Sequence, residues 1–95
     1  MRYYIYRLEI TDGEHQYYSS GLCVSGTGDI DSAIDCANEA ARDWYEDDRR
    51  QNITDEGKDY QVWEHQCGTI ICAVDQVEEI PAEDYLILTK YPSYI

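Results

Sequence analysis

The sequence has no phenylalanine, two prolines, one methionine, and only seven lysines and arginines against twenty aspartates and glutamates. Without phenylalanine, every large aromatic (ten tyrosines and two tryptophans) carries a polar atom that needs a hydrogen-bond partner or solvent. The shortage of bases leaves a net charge of −13. Such a field repels nucleic acid and anionic membranes and attracts basic surfaces. Direct nucleic-acid binding and membrane binding are therefore not expected. No apolar run approaches the roughly 20 residues of a membrane span. Met1-Arg2-Tyr3-Tyr4 lacks the apolar stretch of a secretory signal, which predicts a cytoplasmic chain. In that compartment thiols stay reduced, so Cys23, Cys36, Cys67 and Cys72 are expected to be free and mostly buried.

Several chemistries lack their residues. There is no Cys-x-x-Cys, and Cys67 and Cys72 with His65 want a fourth ligand and alternate in parity, so no metal site is expected. Asp29-Ile30-Asp31 has neither the glycine nor the terminal glutamate of a calcium loop. Ser25-Gly26-Thr27-Gly28 is not followed by lysine, and carboxylates at 29, 31 and 35 would repel a phosphate. The cysteines and histidines form no nucleophile–base motif, and solvated carboxylates do not supply the raised pKa of a general acid. The residues argue for a binding protein, not an enzyme, with no cofactor.

At 95 residues with 43% hydrophobic content, the chain is read as one domain over 1–95 with a single core. Residues 2–10 alternate as a strand with Tyr4, Tyr6, Leu8 and Ile10 inward. A second strand, 16–25, is expected to turn Tyr18, Leu22 and Val24 inward. That requires a hairpin loop of three or five residues around Asp12-Gly13. A long amphipathic helix is predicted over Asp29–Asp48, capped by Asp29. One side carries Ile30, Ala33, Ile34, Ala37, Ala40, Ala41, Trp44 and Tyr45. Residues 51–59 read as a polar loop, 60–66 and 69–78 as a second hairpin, and Tyr85–Thr89 as a last strand. The expected fold is α+β: a mostly antiparallel sheet of about five strands, in sequence order ββαβββ, with one long helix on one face. The exposed edge of such a sheet, with ten tyrosines, leaves room for a homodimer.

The outer helix face carries the functional signal. Asp31, Asp35, Glu39, Asp43, Glu46, Asp47 and Asp48 put seven carboxylates over about 24 Å of helix. One DNA strand carries a phosphate roughly every 3.4 Å, so the two densities match. Residues 75–84 add a second acidic cluster that includes Asp75, Glu78 and Glu79. These residues are the predicted partner-binding set. In charge character, though in no aligned residue, the chain resembles the small acidic counter-defence proteins of mobile elements, such as anti-restriction and anti-CRISPR proteins. That character implies an inhibitor or decoy that imitates DNA toward a basic nucleic-acid-binding protein or nucleoprotein complex. Two other readings use the same residues: an immunity-type or adaptor protein masking a cationic toxin or enzyme, and a housekeeping interaction domain whose charge serves solubility alone.

Overall fold

Two long strands, β1 (Arg2–Asp12) and β2 (His15–Ser25), form the opening hairpin of a computed structural model that describes residues 1–94. α1 follows at Ile30–Arg42, then β3 (Gln51–Asn52), β4 (Val62–His65), β5 (Ile70–Ile80) and α2 (Ala82–Lys90). All sheet pairings are antiparallel, in the order β2-β1-β5-β4-β3. The α+β class and the five-stranded antiparallel sheet agree with the sequence reading. The element order does not: it is ββαβββα, with two helices in place of one.

β1 lies as expected, with Tyr4, Leu8 and Ile10 buried and Tyr6 half-buried over the same core. The register of β2 is different. Asp12 pairs with His15 across a two-residue loop, Gly13-Glu14. Gly13 has φ +60°, the positive value that a type II′ turn demands at its first loop position. Even residues of β1 thus face odd residues of β2. Cys23 and Ser25 turn inward, while Tyr18 and Val24 are exposed. Small inward residues suit a helix that approaches closely: Ala33, Ala37 and Ala41 form its buried row. Gly21 serves the same packing, since a β-carbon there would overlap the Tyr6 ring.

This register also corrects the reading of the cysteines. Cys23, turned inward, meets Cys36 on α1 with 6.6 Å between Cα atoms, and the two form a disulfide. Cys67 and Cys72 are free. Cys72 is buried, and burial pushes its thiol up to about 12.

α1 ends at Arg42, well short of Asp48. Two causes are visible. Asp43, Glu46, Asp47 and Asp48 follow closely, and anions oppose the negative end of the helix macrodipole. Buried His65 donates from Nε2 to the Ala41 carbonyl at 3.0 Å, and the Trp44 amide shares that carbonyl at 3.4 Å, in place of the amide four residues on that would continue the helix. At the other end Asp29 caps as expected, its side chain accepting from the Asp31 amide at 3.0 Å.

The run Tyr85–Thr89 is helical, not a strand. Pro81 stands at the N-cap, Glu83 and Asp84 occupy the first turn and Lys90 the last, an arrangement that complements the dipole. A short apolar run does not itself distinguish strand from helix, and here the flanking residues decide. α2 rests on the sheet face away from α1 through Tyr85, whose ring lies 4.6 Å from that of Tyr3. The fifth strand is instead β3, two residues within the expected polar loop, pairing Gln51 with Glu64 and Asn52 with Trp63. No helix among the described residues is long and apolar enough to cross a membrane.

Candidate acidic interface

Asp31, Asp35 and Glu39 recur every four residues on α1 and so share one exposed face. None of the three carboxylates makes a hydrogen bond or ion pair among the described residues. Beside them runs a groove whose other wall is the segment 57–63. One stretch, of about 320 Å³, is lined by Asp35, Asn38, Glu39, Arg42, Gln61 and Trp63. Another, of about 460 Å³, continues past Asp31 and Ile34 to Lys58 and Asp59.

Asn38 builds this groove. It is buried within α1, where its Nδ2 donates to the Asp59 carbonyl at 3.0 Å and its Oδ1 accepts from the Gln61 amide at 2.9 Å. One side chain therefore fixes the position of the facing segment. Gln61 in turn accepts from the Trp63 indole N–H at 2.8 Å, which orients that ring beside the acidic row. Asn38, Gln61 and Trp63 were not among the residues singled out from the sequence. Asparagine is a weak helix former, and one placed midway along an alanine-rich helix is a usable signal of a tertiary hydrogen-bonding role.

The remaining predicted residues are dispersed. Asp43 sits at the C-cap and binds Arg42 through two hydrogen bonds of 3.0 Å, which hold its carboxyl below the usual carboxylate range. Asp47 is spent on structure: its carboxylate accepts from the backbone amides of Arg49 at 3.0 Å and Gln66 at 2.7 Å, which lower its pKa. Glu46 and Asp48 are exposed in the segment after α1. The expected 24 Å row is thus not one helical row. Asp31 to Glu39 spans about 12 Å, at roughly 1.5 Å per residue.

The second acidic cluster does not extend the row. Asp75 is the extra residue of a bulge in β5, where Arg7 pairs with Gln76 and Leu8 with Val74. It makes an ion pair of 2.5 Å with Arg7, and Arg7 also lies 4.8 Å over the Tyr18 ring, on the face away from α1. Glu78 pairs with Ile5 in register on that same face, and Glu79 lies 3.7 Å from Arg2. Among the described residues, no group of three or more histidine, cysteine, aspartate or glutamate side chains is arranged to hold a metal ion. Comparison of the chain with protein-family models, with curated proteins and with solved structures gave no match.

Proposed function

We propose that this protein binds the basic surface of a nucleic-acid-handling protein or nucleoprotein complex and acts there as an acidic inhibitor or decoy. The observation that carries the reading is the row Asp31, Asp35, Glu39: three exposed carboxylates on one helix face, none of them in an ion pair or hydrogen bond among the described residues. Over its length of about 12 Å, one DNA strand presents three or four phosphates at roughly 3.4 Å spacing. Lysines and arginines placed for such a strand meet comparable charge here. The net charge of −13 adds long-range attraction that speeds encounter. Trp63 and Gln61, on the facing wall of the groove, supply short-range contact to a long cationic side chain entering between them and the row.

The partner-binding set in this proposal is centred on Asp31, Asp35 and Glu39, with Glu46 and Asp48 extending the field. Asp75 and Glu78 belong to the opposite sheet face and Glu79 is paired with Arg2, so all three contribute charge at a distance. The protein is proposed to act without catalysis, inside the cell, where its targets are. A reducing interior would open the Cys23–Cys36 bridge over time, so the acidic row must function in both thiol states.

Affinity capture from the native host, with wild type and an Asp31→Lys/Asp35→Lys/Glu39→Lys variant run in parallel, tests the proposal. Wild type is expected to retain a basic nucleic-acid-binding protein in dilute salt and to release it near 0.5 M, where screening is strong. The folded variant is expected to retain none of it. Equal capture by both proteins would refute the acidic-row assignment.

A further inference from the structure

β2 is a long sheet edge with none of the usual protections. It spans eleven residues, pairs only with β1, and its register with β1 is unbroken by any bulge. Residues 15–28 include no aspartate, glutamate, lysine, arginine or proline, in a chain otherwise dense with charge. Native edges are ordinarily blunted by charge, proline, bulges or brevity. The opposite edge, β3, follows that rule with only two residues.

The hairpin geometry determines which backbone groups of this edge lack partners. A pair closing a two-residue loop exchanges hydrogen bonds, so Asp12–His15 is a bonded pair. Bonded pairs then recur at every second position, using the odd residues of β2. The N–H and C=O groups of Gln16, Tyr18, Ser20, Leu22 and Val24 therefore point away from β1, and no backbone partner among the described residues meets them.

We infer that the partner of this edge is β2 of a second copy, paired antiparallel about a two-fold axis at Ser20. In that register Ser20 faces Ser20, Tyr18 faces Leu22 and Gln16 faces Val24 of the other copy. All five outward residues of each chain then lie in bonded pairs, and ten hydrogen bonds close. A register centred on Tyr18 or Leu22 leaves some of the five unmatched. The side chains agree with the pairing. Tyr18, exposed in the single chain, gains Leu22 as an apolar cross-strand neighbour on the face away from α1.

Charge favours this site over others for self-association. Two chains of −13 repel, so they meet best along the uncharged strand. A partner selected for basicity would find no carboxylate on β2. The edge is about 36 Å long at roughly 3.3 Å per residue. Pairing along it buries on the order of 1,000 Å² in total, the lower limit of a specific interface. The dimer is accordingly weak, strengthened by salt, and built on a continuous ten-stranded sheet. Because the axis is perpendicular to the sheet, both α1 helices lie on one face and present two acidic rows side by side.

Sedimentation equilibrium over about 1 µM to 1 mM protein, in dilute salt and at 0.5 M, tests this together with amide hydrogen exchange. The expected result is a monomer–dimer equilibrium that tightens with salt. The amides of residues 16, 18, 20, 22 and 24 gain protection as concentration rises, while those of 17, 19, 21 and 23 are protected throughout. Ser20→Pro removes an outward N–H without breaking the pairing to β1, and Leu22→Lys places a charge on the edge. Each is expected to weaken dimerisation at least tenfold, and Leu22→Lys remains informative should Ser20→Pro not fold. A monomer at all concentrations, or a dimer whose even-numbered amides stay unprotected, would overturn the inference. The opposite salt dependence separates this outcome from that of the acidic row.

Discussion

Asn38 clasps the chain on either side of Tyr60, donating to the Asp59 carbonyl at 3.0 Å and accepting from the Gln61 amide at 2.9 Å. Both bonds are made by a side chain more than nine-tenths buried, so losing them leaves backbone polar groups without partners. Replacing Asn38 by leucine is expected to cost about 2 kcal/mol, the usual penalty for orphaned buried groups. Urea unfolding would show a lower midpoint at unchanged slope, and hydrogen exchange would show the Gln61 amide opening first.

The Cys23–Cys36 bridge joins β2 to α1 across a sequence separation of 13 residues. Closing a loop of that length stabilises the fold by about 3 kcal/mol in the chain-entropy account. Reduction, or the Cys23→Ser/Cys36→Ser double variant, is expected to lower the melting temperature by roughly 10 °C or more for a domain this small. Differential scanning calorimetry with and without reductant measures it. An unchanged melting temperature would mean that the bridge contributes nothing to the fold.

Asp47 links the segment after α1 to the turn before β5 through the amides of Arg49 and Gln66, which hold its pKa down. A group with a depressed folded pKa stabilises above its unfolded value of about 3.9 and loses that contribution as pH falls through the folded value. Asp47→Asn is therefore expected to be less stable than wild type at pH 7, with the difference shrinking below about pH 4. Denaturation midpoints across pH 2–7 would show the two curves converging.

Tyr6 lies over Gly21, and burial first, then the neighbouring Cys72, raises its phenol above the ordinary tyrosine value. Gly21→Ala is expected to push the ring outward and return its titration toward about 10. Ultraviolet difference titration follows this at 295 nm. A modest loss of stability, on the order of 1–2 kcal/mol, accompanies the forced repacking.

What could be read from the sequence followed from local periodicity. The inward set of β1, the Asp29 cap and the alanine row of α1 each satisfy one rule within one element, and each is found in place. The failures share a cause, namely geometry decided elsewhere in the chain. The hairpin closes through two residues, Gly13-Glu14, in place of the expected three or five, and that change from an odd to an even loop turned Cys23 inward to Cys36 and sent Val24 to solvent. α1 stopped at Arg42 partly because His65, twenty-four residues downstream of Ala41, takes that carbonyl. The seven-carboxylate row shortened with it. Three of its members were legible as a face because they lie on the helix proper. The groove beside them was not legible, because its far wall is set by the side chain of Asn38 reaching residues 59 and 61.

The proposed decoy role turns on whether nucleic acid and this protein use the same surface of a target. With the captured basic protein in hand, competition binding against labelled DNA or RNA is the most direct measurement. Mutual exclusion is expected: rising protein displaces the nucleic acid completely, and the Asp31→Lys/Asp35→Lys/Glu39→Lys variant is weaker by about 100-fold or more, at roughly 1 kcal/mol for each lost pairing. A ternary complex of target, nucleic acid and this protein, formed at undiminished affinity, would contradict it.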